Sequence, residues 1–145
     1  MKLSTKGRYG TRLMIDLASH FGQGPILLRD IATRQEVSEK YLWHTIPPLK
    51  NAGLIVTTRG AHGGYELAKP PHAITLKDII VVLEGPINLV ECVETIDSCH
   101  RINICVTRDV WKEVSEKISE TLESMTLADM VERQRGRLDS IVYSI

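Results

Sequence analysis

Three stretches of this 145-residue chain predict a mainly α fold with a small β-hairpin wing. LLRDIATRQEVSEKYLWHTI places a capped turn between two segments of helical apolar spacing, and LIVTTRGAHGGYELAK alternates on both sides of a Gly-rich centre. Farther on, Val110, Val114, Ile118, Leu122 and Met125 recur about every four residues. Read together, these give a winged helix-turn-helix domain over residues 1–72. Residues 73–145 then hold a connecting helix, a cysteine loop (92–105), a long C-terminal dimerisation helix (about 107–125) and a short C-terminal helix.

The first helix is predicted over residues 4–21, with Tyr9, Leu13, Leu17 and Phe21 on its apolar stripe and Ser4 or Thr5 as its cap. Gly7 and Gly10 weaken it. Lys2, Lys6, Arg8 and Arg12 crowd its early turns, against the dipole preference for acids there. Phosphate contact explains them, and so does a solvated charged face.

In the helix-turn-helix, Ile31 and Ala32 face inward, Val37 lies in the turn and Ser38 caps the second helix. Glu36 stands at a turn position that often prefers glycine. Leu42, Thr45, Ile46 and Leu49 make the buried stripe, which leaves Ser38, Glu39, Lys40, Trp43 and His44 as candidate base and phosphate contacts. Trp43 is weighed equally for packing and for DNA contact. Pro47 and Pro48 predict a kink or a restart near Pro48. In the wing, Arg59, His62 and Gly63 are the candidates: the two side chains for a narrow minor groove, the glycine for close backbone approach.

Thr75 and Asp78 form a capping-box pattern that opens a helix ending before Gly85-Pro86. Thr107 is read as the cap of the long helix, whose opposite face carries Lys112, Glu113, Glu116, Lys117, Glu120 and Glu123. Packing of its apolar face against a second copy accounts for that face economically, and a two-fold homodimer presents two wings to a palindromic site in double-stranded DNA. Thr126 to Asp129 cap the last helix, and residues after about Gly136 read as a mobile tail.

Charge is divided along the chain. Residues 1–72 hold ten Lys and Arg against five Asp and Glu, +5; residues 73–145 hold eight against thirteen, −5. The basic half is the one expected to meet a polyanion. No apolar run approaches the roughly eighteen residues needed to span a bilayer, so no membrane partner is expected and the chain is read as cytoplasmic. In a reducing compartment, three clustered cysteines (Cys92, Cys99, Cys105) point to metal binding or reactivity rather than a structural disulfide. They lack the paired C-x2-C spacing of most structural zinc sites, and soft thiolates at six- and five-residue intervals suit an iron-sulfur cluster (2Fe-2S or 4Fe-4S). Catalysis is not expected, because no nucleophile-base pair, phosphate-binding glycine loop or zinc-protease motif is present.

The segments MKLSTKGRYG, VSEKYL, PLKNAGLIVTTRGAHGGYELAKPP, ITLKDII and LEGPI, together with the cysteine loop, resemble the Rrf-two family of winged-helix transcriptional regulators, in particular its iron-sulfur members. The resemblance runs from Met1 to about Leu127. It implies a homodimeric repressor or activator whose Cys92, Cys99 and Cys105 ligate a cluster that senses cluster supply, iron, nitric oxide or oxidation. Family members complete the ligand set with a histidine shortly after the third cysteine, where this chain has Arg108, or with an acid near residue 8, where it has Arg8. His100 is the local fourth-ligand candidate, beside Asp97, Glu94, Glu91, a partner-subunit residue or a small thiol. Cluster-free relatives that respond to cysteine status, and a thiol redox switch, are the alternative readings.

Overall fold

The structure, a computed structural model, describes residues 2–144. Its elements are α1 (Thr5–Ser19), α2 (Leu28–Gln35), α3 (Glu39–Trp43), α4 (Ile46–Asn51), β1 (Ile55–Thr58), β2 (Gly64–Leu67), α5 (Leu76–Glu84), α6 (Glu91–Glu94), α7 (Val106–Glu123) and α8 (Leu127–Ser144), with single 3-10 turns at Pro71–Ala73 and Ile96–Ser98. This is the expected helical fold with a two-stranded antiparallel wing. Among the described residues no helix is long and apolar enough to cross a membrane.

Ser4 caps α1 by accepting from the Gly7 amide at 3.2 Å. The helix stops at Ser19, two residues short of the expected end, and Phe21 lies in the following turn 47% exposed. The periodic stripe overruns the helix because Gly22, with φ +85°, turns the chain before Phe21 can pack. Leu13, Met14, Leu17 and Ala18 form the buried face instead. Asp16 is buried there as well, accepting from Arg34 Nε at 3.0 Å and Nη2 at 2.7 Å and from Gln35 Nε2 at 3.0 Å. A buried carboxylate is tolerated because these donors replace its water, and they clamp α2 onto α1. Arg12 completes the clamp from its Nη2 to the Gln35 carbonyl.

The turn between α2 and α3 places Glu36 in the left-handed region, with φ 54° and ψ 44°. Its amide bonds back to Thr33, and the Val37 amide bonds to the Ala32 carbonyl. A side chain at that φ is strained by contact with its own backbone, and glycine is not. Glu36→Gly is expected to raise the unfolding free energy by about 0.5–1 kcal/mol, the strain relief exceeding the added chain entropy. An unchanged or lower denaturant midpoint would show that the Glu36 side chain stabilises the turn.

Pro47 and Pro48 act as expected: α3 ends at Trp43 and α4 restarts at Ile46 with proline in its first turn, where its missing N–H costs nothing. Leu42, Thr45, Ile46 and Leu49 are all buried, and the Thr45 hydroxyl donates to the Leu42 carbonyl at 2.7 Å. In the wing, Ile55 pairs with Leu67 and Thr58 with Gly64. Beyond β2, Ile26 adds a third short segment through reciprocal amide-carbonyl bonds with Tyr65 at 2.8 and 3.0 Å.

The boundary near residue 72 does not separate two cores. Ile74, Ile79, Leu83, Leu127 and Val131 belong to the same buried cluster as Leu13, Ile31, Leu42 and Ile55. The Thr75–Asp78 capping box forms, and a second box joins Thr126 to Asp129. Residues 74–76 and 125–127 bond across these two helix starts, Leu76 N–H to Met125 O at 2.7 Å and Leu127 N–H to Ile74 O at 2.9 Å.

The C-terminal end departs most from expectation. The long helix begins at Val106 with Cys105 at its cap position, so Thr107 lies inside it rather than capping it. α8 is no shorter than α7, each having 18 residues, and it continues through Gly136 to Ser144 in place of the expected tail. A glycine favours ending a helix, but Arg133, Arg135, Arg137 and Leu138 around Gly136 are good helix formers and sustain this one.

Candidate nucleic-acid interface and cysteine loop

The sequence-chosen DNA contacts lie on α1, α3 and the wing. Ser38 caps α3, accepting from the Tyr41 amide at 3.2 Å, and Ser38, Glu39, Lys40, Trp43 and His44 are all exposed. Trp43 is 55% exposed, which resolves its ambiguity against core packing. Lys2, Lys6 and Arg8 are exposed around the start of α1, and Arg59 and His62 at the wing tip.

Gly63 has a different place. It is buried, its amide is satisfied by Gly60 at 3.0 Å, and a Cβ there would fall on the Thr58 carbonyl. The tight turn accounts for this glycine without a ligand.

Tyr41 escapes the sequence reading. It is 56% exposed and meets Tyr9 edge-on with ring centroids 6.0 Å apart, while the guanidinium groups of Arg8 and Arg12 lie 5.6 and 5.7 Å from the Tyr9 ring centre. The Tyr9–Tyr41 contact joins α1 to α3 at the surface where their candidates are displayed, and the two cation-π contacts, both within α1, hold Tyr9 in place. Its position on the first turn of α3, between Lys40 and Trp43, is the signal that could have found it.

The cysteine loop begins where α5 ends. The Leu89 amide donates to Ser115 Oγ at 3.1 Å, and Arg108 Nε donates to the Cys92 carbonyl at 2.9 Å, so both its start and α6 are fastened to α7. Arg108 thus holds the loop backbone. All three cysteines are free: Cys92 lies in α6, Cys99 follows the Ile96–Ser98 turn and is exposed, and Cys105 caps α7. The Cys105 thiol is held below its ordinary pKa, first by its hydrogen bond with Thr107 and then by the Arg108 backbone amide.

As donors the thiols fit an iron-sulfur cluster, which takes Cys ligands. As folded, no group of three or more His, Cys, Asp or Glu side chains among the described residues is arranged to hold a metal ion. The structure places Cys92, Cys99, Cys105 and the fourth-ligand candidate His100 on one loop, not gathered around a single-ion site.

The family profile described as "Rrf2: Iron-dependent Transcriptional regulator" matches residues 3–133. The HTH-type transcriptional regulator CymR of Bacillus subtilis (strain 168) is 43% identical over 145 residues, the whole of both chains. The HTH-type transcriptional regulator IscR of Yersinia pseudotuberculosis is 37% identical over 134 residues, 92% of this chain and 81% of that one. In structure, B. subtilis CymR, the global cysteine regulator, superposes with a TM-score of 0.78 at 44% identity over 92% of this chain and 98% of its own. T. potens IscR does so with 0.75 at 46% identity, over 92% and 88%. Exposed candidate contacts on a winged fold now stand beside relatives that regulate transcription and are not enzymes, and the chain belongs to the Rrf2 family of DNA-binding transcriptional regulators.

Proposed function

We propose that the chain works as a homodimer on a palindromic promoter site and senses iron-sulfur cluster, iron or redox and nitric oxide status through a cluster ligated by Cys92, Cys99 and Cys105. The observation that carries this reading is the concentration of every thiol, free, on one loop between the end of α5 and the start of α7. A bound cluster would supply a labile, redox-active group there. The chain's own residues anchor the loop through Arg108 and Ser115 and transmit its state to α5 and α7. The second copy has a ready surface in the exposed face of α7, where Val106, Val110, Trp111 and Val114 face solvent.

A cluster-free regulator of cysteine metabolism or a thiol switch is the second reading. The full-length match to CymR favours it. Anaerobic purification with iron and acid-labile sulfide determination separates the two readings: matched iron and sulfide support the cluster, and protein that stays colourless after reconstitution supports the alternative.

The DNA surface is tested through salt. Removing one phosphate interaction lowers the slope of log K against log salt by about 0.9, because fewer counterions are released. Lys6→Ala or Arg8→Ala is expected to weaken binding to every duplex about equally and to reduce the slope by about that amount. A slope equal to that of the unaltered protein removes the residue from the interface.

A further inference from the structure

α1 and α5 meet through a notch. Gly7 and Gly10, one turn apart on α1, are buried, and the last two residues of α5 are seated against them. A Cβ at Gly10 would strike Leu83 Cδ1, and a Cβ at Gly7 would fall on the carboxylate of Glu84, 3.0 Å from its Cδ. Glu84 Oε1 accepts from the Ser4 amide at 2.9 Å and also from the Ser4 hydroxyl. That hydroxyl oxygen in turn accepts from the Gly7 amide, which closes the first turn of α1.

This placement answers two electrostatic questions at once. α1 has no acid in its first turn, although its N-terminal amides favour one, and Glu84 supplies that negative charge from another helix. A carboxylate at the end of α5 is unfavourable to that helix, and the donors of Ser4 offset it. Ser4, Gly7 and Glu84 therefore specify one another. Glu84 is exposed, so these bonds compete with water and open at small cost.

Glu84 also stands at a junction. Ahead of it lie Lys2, Lys6 and Arg8, the phosphate candidates around the start of α1. Behind it the chain turns at Gly85, with φ +89°, and passes Pro86 into the segment that reaches Cys92. We infer that Glu84 is a positioning residue whose latch on Ser4 couples the state of the cysteine loop to the DNA-binding start of α1. The inference rests on the proposed reading of loop and interface. The loop is fastened to α7 through Cys92 and Leu89, and α7 packs on α5, so a change at the thiols reaches Glu84 through both chain and packing.

The test uses the full chain before and after complete alkylation of its three cysteines with N-ethylmaleimide, confirmed by mass. Exchange of the Gly7 and Arg8 amides is followed by NMR. In the unaltered protein, alkylation is expected to speed their exchange by about fivefold or more. In Glu84→Ala exchange is fast from the start and insensitive to alkylation. Gly7→Ala, which displaces the carboxylate while leaving Glu84 itself unaltered, should behave likewise, whereas helix propensity alone would protect the first turn better. No response in the unaltered protein, or an equal response in both variants, overturns the latch.

Anisotropy titration of a duplex selected from a random pool separates this from the sensor reading. If the latch governs DNA, alkylation changes affinity by about tenfold in the unaltered protein and little in Glu84→Ala. A first turn that responds while DNA affinity does not would uphold the latch and overturn thiol sensing. DNA affinity that responds equally with and without Glu84 would do the reverse.

Discussion

Gly64→Ala is expected to lower the unfolding free energy by about 3–5 kcal/mol, a backbone-strain cost added to an overpacking cost. Gly64 opens β2 with φ +148°, a conformation that a side chain rarely adopts. Its missing Cβ faces the backbone of Ile26, whose nitrogen would lie 2.8 Å away and whose carbonyl would lie closer still. Backbone cannot swing aside as a flexible side chain can, so Ile26 must leave Tyr65. That breaks both hydrogen bonds of the bridge beneath the wing. Thermal unfolding should show a midpoint lower by roughly 10 °C for a domain of this size. DNA affinity should fall as well, since Arg59 and His62 are carried on the hairpin. Gly60→Ala is the control: its φ of +105° is strained, but nothing lies within 4 Å of the added Cβ. That change should cost only about 1–2 kcal/mol. Equal effects in the two variants would mean that strain, and not contact with Ile26, sets the cost at Gly64.

Why Gly64 is needed was not legible in the sequence, although the wing was. The hairpin, both capping boxes, the break at Pro47-Pro48 and the stripe Leu42-Thr45-Ile46-Leu49 are local patterns, each fixed by residues within a few positions of one another. What escaped depends on distant partners. Gly7 and Gly10 read as weaknesses of a helix because Leu83 and Glu84, which fill their notch, lie more than seventy residues on. Asp16 is a polar residue on a nominally apolar helix until Arg34 and Gln35 come round to it. In α8 a single glycine outweighed, on reading, the helix formers on both sides of it. The thiols show the same limit: residue type suggests ligand or thiol chemistry, but the arrangement of three loop positions is set by contacts such as Arg108 to Cys92 that no spacing encodes.

On the proposed cluster reading, Cys99→Ser is expected to abolish cluster binding while leaving the fold intact, the largest functional effect of any single change proposed for the loop. Serine keeps the size of cysteine but replaces a soft, readily ionised sulfur with a hard, poorly ionised hydroxyl, a much weaker ligand for an iron-sulfur cluster. Cys99 is exposed on the loop, so its replacement opens no cavity in the core. Iron, sulfide and visible absorption should fall to background, with helicity and unfolding midpoint equal to those of the cluster-free unaltered protein. Cys105→Ser sharpens the comparison, because Cys105 holds the cap position of α7 with an extended backbone, and its sulfur, though drawn toward the Thr107 and Arg108 amides, makes no capping hydrogen bond to either. Serine is among the best cap residues and can accept from the second or third amide of the helix. This variant should therefore lose the cluster and yet be more stable than the cluster-free unaltered protein, by about 0.5–1 kcal/mol. Opposite movements of stability and iron content in one variant cannot come from misfolding. Full iron and sulfide in Cys99→Ser would instead remove that residue from the ligand set, and cluster-free protein in every form would transfer the loop to thiol chemistry.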